Sequence, residues 1–242
     1  MKSEKPEQNA QSALLPSVNG ILLVDKAVDW TSHDVAAYLR GVLKTKKIGH
    51  SGTLDPMATG LLVVLIGEAT KLQSQYQQMP KKYKTKIVLG VETDTWDAAG
   101  KVVKTMQVNP FTLEDVNAAL AEMTGEITHP VPYYSAKKVK GVAMYKEARK
   151  GNNIERQSTI TIYKWENITL NEDNTIDLEV SCSSGTYVRS LGYMLGQKLG
   201  SVAHITNLRR LAIGGFDVSE ALPLEKIKTL KREEILKWLK TI

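Results

Sequence analysis

The feature that most constrains this chain is a run of six apolar residues, Leu61 to Ile66, set just behind a loop punctuated by Gly49, Gly52, Pro56 and Gly60. Six residues rich in leucine and β-branched types suit one buried strand. They fall far short of the roughly 18 that a bilayer crossing needs. A strand apolar on both faces sits inside a sheet, so the loop before it is pinned against the core. Asp55, within that loop, is expected to be held in place and partly desolvated.

The surrounding pattern completes an α/β chain. Gly20 to Val24 reads as an earlier buried strand ending at Asp25-Lys26. Thr31 or Ser32 can cap a helix with Val35, Leu39, Val42 and Leu43 on one face. Tyr83, Thr85, Ile87, Leu89 and Val91 alternate with Lys82, Lys84 and Lys86, predicting a strand with one wet, basic face. Thr112 caps a second helix that has an acidic residue, Asp115, at its third position and Phe111 placed to staple onto Val116. Its expected stripe is Leu113, Val116, Leu120 and Met123. Ile160 to Trp165 and Ile176 to Cys182 alternate again, the latter with Ile176, Leu178, Val180 and Cys182 on one face, as antiparallel strands do. Leu224 to Leu239 repeats Ile227, Leu230, Ile235 and Leu239 between charges, predicting a docked amphipathic helix.

Charge narrows the partner. Lys and Arg number 32 against 26 Asp and Glu, a net +6 that favours a polyanion, with RNA or DNA foremost. Cys182 alone forms no intrachain disulfide, and four histidines without C-x-x-C or H-x-x-x-H give no compact metal signature, so no metal is expected. Met1 to Ser17 is polar and lacks the apolar core of a signal peptide, which points to a flexible leader and a cytoplasmic protein.

Between His129 and Arg156, Lys137, Lys138, Lys140, Lys146, Arg149, Lys150 and Arg156 are interleaved with Tyr133, Tyr134 and Tyr145. Phosphate contact plus base stacking needs that mixture, although a solvated charged hairpin has it too. The usual phosphate loops are missing, and Gly49-His-Ser-Gly-Thr53 fails the nucleophile-elbow pattern at its last position. Asp55 remains. Beside a cation it would stay ionised and could act as nucleophile or general base; Asp55-Pro56 also reads simply as a turn.

Several blocks resemble the TruB-type tRNA pseudouridine-55 synthases: Gly20-Ile-Leu-Leu-Val-Asp-Lys26, Thr31-Ser-His-Asp-Val35, Lys47-Ile-Gly-His-Ser-Gly-Thr-Leu-Asp-Pro-Met-Ala-Thr-Gly60 and Gly67-Glu-Ala-Thr-Lys71. Lys82-Tyr-Lys84, Thr93-Asp-Thr-Trp-Asp97 with Gly100, Pro132-Tyr-Tyr-Ser-Ala-Lys137 with Gly141, Gly185-Thr-Tyr-Val-Arg189 and Leu208-Arg-Arg-Leu211 follow in the same order. The likeness runs from about Gly20 to Phe216.

The resemblance implies a pseudouridine synthase catalytic fold, with a long mixed, mainly antiparallel sheet flanked by helices and crossed by an RNA-binding cleft. It implies conversion of one uridine in the T loop of tRNA to pseudouridine, without a cofactor, after the base is flipped out. Asp55 matches the family's catalytic aspartate, the nucleophile; attack at C1′, attack at C6 and a glycal-like path all remain open. Arg189 falls where the family places the arginine paired with that aspartate, and Gly185 before it suggests a tight backbone approach. Tyr83 matches the tyrosine that stacks on the target base and, in the family, is linked to proton transfer, although an ordinary strand aromatic would read the same way. Lys26, His50, Tyr187, Leu208, Lys137, Lys138 and Arg149 are the expected substrate-binding residues, with residues 129–156 as an RNA-clasping insertion.

The expected organisation is a leader at 1–18, a catalytic domain at 19–218 and a C-terminal helical extension at 219–242. A monomer needing no protein partner, and lacking the C-terminal RNA-binding domain of many bacterial members, is the corresponding expectation. Ala27 and Asp29 depart from the family's Pro and Gly, which implies a different turn after the first strand. Two competing readings stand beside this one: a guide-RNA-dependent relative, and a non-catalytic tRNA-binding or folding protein.

Overall fold

In a computed structural model that describes residues 18–242 apart from 136, 140, 149 and 153, the chain opens with the strand β1 (Gly20–Lys26) and the helix α1 (Ser32–Leu43). Thr31 caps α1 in a reciprocal box with Asp34, satisfying backbone donors that a helix start leaves free. Val35, Leu39 and Leu43 are its buried stripe, as the spacing predicts. Next come β2 (Ile48–His50) and β3 (Thr59–Ile66), the latter buried from Gly60 onward.

A 3₁₀ turn and α2 (Gln73–Gln78) lead to β4 (Lys81–Leu89), the hairpin β5 (Val91–Thr93) and β6 (Val102–Thr105), then α3 (Leu113–Glu122) and β7 (Gly125–Pro130). The short pair β8 (Lys138–Val139) and β9 (Val142–Ala143) and the one-turn α4 (Met144–Ala148) follow. After them come β10 (Gln157–Leu170), β11 (Thr175–Cys182), α5 (Val188–Lys198) and β12 (Ala203–Ile213). β13 (Phe216–Asp217), β14 (Leu222–Pro223), α6 (Leu224–Ile227) and α7 (Arg232–Leu236) end the chain.

One sheet runs in the order β14-β1-β3-β12-β4-β11-β10-β7, with β2 on β3 and β13 on β12. Its pairings are antiparallel except β1 with β14 and β3 with β12, so it is mixed and mainly antiparallel, the expected class. The helices α3 and α5 cover β4, β10, β11 and β12, while α1, α6 and α7 cover β1 and β3. The parallel seam between β3 and β12 joins these halves. Gly60 makes it possible: a Cβ there would lie 2.3 Å from the carbonyl oxygen of Arg210, and the residue takes φ +101°, a region that other residues rarely enter.

Three expectations need amending. The basic face of β4 is not simply wet, since Lys82 pairs with Glu166 and Glu179 at 3.0 and 2.9 Å and Lys86 with Asp177 at 3.4 Å. In α3 the stripe is Val116, Ala119, Leu120 and Met123, whereas Leu113 is 38% exposed because Phe111 covers the first turn instead. The C-terminal helix is broken into α6 and α7. Leu230 and Ile235 are five positions apart, which an unbroken helix would place on different faces, so the chain re-enters helix at Lys231 to bury Ile235. Asp29 takes a left-handed φ of 65°, a region that glycine enters readily. Of the expected leader only Val18 is among the described residues, and it is buried.

Candidate active site

The loop carrying Asp55 is fastened by four groups from outside it. Lys26 is completely buried, and its Nζ donates to the carbonyls of Ala27 at 2.8 Å, Trp30 at 2.6 Å and Pro56 at 3.4 Å. The Ser32 hydroxyl accepts from the Leu54 N–H at 2.9 Å, the Asp29 N–H donates to the Pro56 carbonyl at 2.9 Å, and Arg210 Nη2 reaches the Gly52 carbonyl at 3.5 Å. Within the loop the Ala58 N–H returns to the Asp55 carbonyl at 3.0 Å. The turn reading of Asp55-Pro56 leaves room for the functional one: proline at the second turn position fixes a backbone from which the carboxylate projects, 36% exposed.

Arg189, in the first turn of α5, meets that carboxylate with its Nε 3.0 Å from Asp55 Oδ2 while being only 4% exposed. Nη1 donates to the Thr95 carbonyl and Nη2 to the Tyr134 carbonyl, each at 3.0 Å. A second carboxylate, Asp97, lies 3.5 Å from Nη1 and is itself held by the Thr95 hydroxyl and the Ala99 N–H. Gly185 in the preceding turn has open space around it and a φ of 82°. It is the positive φ, not the close approach expected from sequence, that calls for glycine there.

Tyr83, Tyr187 and Leu208 join Asp55 and Arg189 around one cavity of about 250 Å³, together with Lys81, Ser135 and Arg210. This is room for a single base, below the usual range for larger ligands. Tyr83 is 9% exposed, and burial pushes its phenol above the ordinary tyrosine value; Tyr187 is displaced the same way by the same cause. Tyr187 precedes α5, and its N–H donates to His129 Nε2 at 3.2 Å. Lys26 and Lys81 are pushed down to about 8, first by burial and next by the charge of Arg210.

The structure thus gathers Asp55, Tyr83, Arg189, Tyr187 and Leu208 from four separate stretches of chain. Lys26 lies under the loop, out of contact with solvent. His50, on β2, does not line the cavity, and its buried Nδ1 lacks a hydrogen-bond partner. Lys137 is tethered by its Nζ to the Ser158 hydroxyl at 3.1 Å. Lys138 is described through its backbone in β8, and Arg149 lies outside the described residues. Among the described residues no cluster of three or more His, Cys, Asp or Glu could hold a metal ion.

Four members of the site were missed from sequence: Arg210, Lys81, Asp97 and His129. Arg210 had a readable signal, since residues two apart on a strand share a face and Leu208 was already assigned to the pocket. Lys81 precedes Tyr83 by the same spacing. Asp97 had only its place in a matched block, and His129 had none.

A family model described as TruB family pseudouridylate synthase (N terminal domain) matches residues 40–188. A protein of Opitutus terrae named tRNA pseudouridine synthase B is 45% identical over 92% of this chain and 92% of its own. One of the same name from Caldanaerobacter subterraneus subsp. tengcongensis is 43% identical over 90% of this chain and 76% of its own. Among solved structures, a chain from the crystal structure of a Cbf5-Nop10-Gar1 complex superposes with a TM-score of 0.69 at 25% identity. That match covers 92% of this chain and 60% of the other.

Proposed function

The chain belongs to the TruB family of pseudouridylate synthases, and from that premise we propose that it converts uridine 55 in the T loop of tRNA to pseudouridine. The observation that carries the proposal is the Asp55 carboxylate, paired with the Arg189 Nε at 3.0 Å, at a base-sized cavity walled by Tyr83. The reaction exchanges the N1–C1′ bond for a C5–C1′ bond and moves one proton from C5 to N1. Nothing is oxidised or reduced, so the chemistry asks for a nucleophile, a proton carrier and a closed site, all of which side chains can supply.

Asp55 is the nucleophile in this reading, with Arg189 as its counter-charge. The target base must leave its stack to reach them, at a cost of a few kcal/mol. Tyr83 offers a face for the extruded base, and Tyr187 and Leu208 close the pocket around it. Lys137, Lys138 and Arg149, on the stretch from 129 to 156, are proposed to meet backbone phosphates. Lys26 contributes by holding the Asp55 loop, and His50 by supporting the opened RNA loop. The chain is proposed to act in the cytoplasm as a monomer on bare tRNA; no helix among the described residues is long and apolar enough to cross a membrane.

Tritium release from C5-labelled uridine in an unmodified tRNA transcript tests this reading. Release should require both Asp55 and uridine 55. Asp55→Asn should lower it at least about 10³-fold with tRNA binding retained. Release from the Asp55→Asn variant at the normal rate would sink the assignment, and release only after adding a guide RNA would favour the guide-dependent reading.

A further inference from the structure

Arg210 is the second arginine at the cavity, and the scheme above leaves it without a task. It is 1% exposed, one of the largest fully buried side chains, and it lines the cavity with Tyr83 and Asp55. Among the described residues the arginines in ion pairs are Arg189 and Arg209, so Arg210 carries its charge without a carboxylate. Its Nε donates to the Leu61 carbonyl at 2.7 Å, and its side chain and that of Tyr83 share the wall of one cavity. The antiparallel register of β12 on β4 sets Arg210 directly opposite Tyr83. Sheet, not loop, fixes this pair.

A buried, uncompensated cation is expensive to maintain, and Lys26 and Lys81 lie close enough to be affected by its charge. The floor of the cavity therefore holds more positive than negative charge. A guanidinium has five N–H donors and no acceptor, so toward Arg210, its partner in the register, the Tyr83 oxygen can only accept, and the phenolic hydrogen is left for another direction. The open side is the cavity.

We infer that Arg210 is a positioning residue for Tyr83, aiming the phenolic hydrogen at the substrate base and stabilising the phenolate left when that hydrogen is given up. The inference rests on the pseudouridine synthase reading, in which the resemblance already links Tyr83 to proton transfer, and adds Arg210 to that step. Once the C5–C1′ bond has formed, C5 bears both its hydrogen and C1′, and N1 is an imine nitrogen. The Tyr83 O–H gives its proton to N1. The C5–H bond then breaks, its electron pair restores the ring double bond, and the phenolate takes that proton. Tyrosine ends as it began, and Arg210 is the counter-ion in between. The charged and titratable groups facing this pair are Asp55 and Cys182 on the Tyr83 side and Lys26, Lys81 and His50 on the Arg210 side.

Single-turnover tritium release on the full chain, followed from about pH 6 to about pH 9, tests this with Arg210→Gln and Arg210→Lys. Arg210→Gln should release tritium about 10²-fold more slowly while its tRNA affinity changes less than about threefold. Arg210→Lys should stay within about tenfold of the native rate at neutral pH, then lose activity on the alkaline side more steeply than the native chain, where Lys26 and Lys81 are the groups that give up protons. A lysine, unlike an arginine, gives up its proton readily when buried, and with it the phenolate's counter-charge.

An Arg210→Lys profile that follows the native one at every pH would overturn the inference, as would an Arg210→Gln rate within threefold of native. If Arg210→Gln fails to fold, the profile of Arg210→Lys decides alone. No release from the native chain would sink the pseudouridine synthase reading itself, whereas an active native chain with an unshifted Arg210→Lys profile sinks only this inference.

Discussion

Arg189 commits both of its terminal nitrogens to backbone carbonyls, of Thr95 and Tyr134, and leaves Nε for Asp55. Its direction is thereby set before any substrate arrives. A lysine carries the charge but has no planar fork, so it cannot hold two fixed carbonyls and a carboxylate in one plane. Arg189→Lys is expected to lower single-turnover tritium release by about 10² to 10³-fold. It should also destabilise the fold by about 1–3 kcal/mol, the usual result of stranding buried carbonyls. Urea denaturation alongside the rate assay separates the two effects, and a folded variant with native activity would refute the geometry's importance.

Lys26 answers a different question, since sequence placed it among RNA contacts and the fold places it beneath the Asp55 loop. With no solvent exposure and three carbonyl acceptors, it should not touch phosphate. Lys26→Met is expected to slow the reaction while leaving the salt dependence of tRNA binding unchanged; a lost phosphate contact would instead reduce that slope by about 0.7–0.9. Its protonation gives a second readout. The folded lysine is pushed down to about 8 from 10.5, so between those values the unfolded chain binds the extra proton and native stability rises with pH. Lys81 acts in the same direction, so the Lys26 contribution is the difference between native and Lys26→Met chains. A flat difference across that window would count against it.

Why some of this was legible and some was not follows from where the signal is local. The run Leu61 to Ile66, the cap at Thr112 with Asp115, and the alternation in β4 and β11 depend on near neighbours and appear as read, while the choice between Thr31 and Ser32 as cap falls to Thr31 with Asp34. The hairpin of β5 and β6 did not show, because all four residues of β6 are exposed and leave no periodicity. Asp55 and Arg189 lie far apart along the chain, and only the resemblance joined them. Asp97 enters the site as a fourth partner of Arg189, on the Nη1 that also donates to Thr95, and His129 because the N–H of Tyr187 needs an acceptor. Both are demands of the assembled fold, invisible until the partners meet.

Asp29 tests how much strain the turn after β1 stores. Its φ of 65° lies in the left-handed region, which costs a non-glycine residue roughly 1 kcal/mol, less for Asp than for most. Asp29→Gly should relieve that strain but widen the unfolded ensemble, for a net gain of about 0.5 kcal/mol in urea denaturation. The N–H that donates to Pro56 is kept, so activity should be unchanged. A loss of stability would mean that the aspartate side chain contributes more than its backbone conformation costs.

His129 offers the clearest acid-side prediction. It is fully buried; its Nε2 accepts from the Tyr187 N–H, so Nδ1 bears the hydrogen and donates to the Ser158 carbonyl at 2.8 Å. The contact from the Tyr187 N–H requires the neutral ring, and burial, the larger cause, pushes its pKa below 6.5. As pH falls below 6.5 the unfolded histidine takes a proton that the folded one resists, so stability present above that value is lost on acidification. His50 is lowered chiefly by burial as well and adds to the same slope. In His129→Leu the slope between about pH 5 and pH 7 should shrink, and stability at neutral pH should fall by about 2 kcal/mol as the Tyr187 N–H and Ser158 carbonyl lose their partner. Because Tyr187 lines the cavity, uridine turnover should fall too, while Asp55 and Arg189 stay paired. Urea midpoints measured across that range would count against the assignment if the native chain and the variant ran parallel.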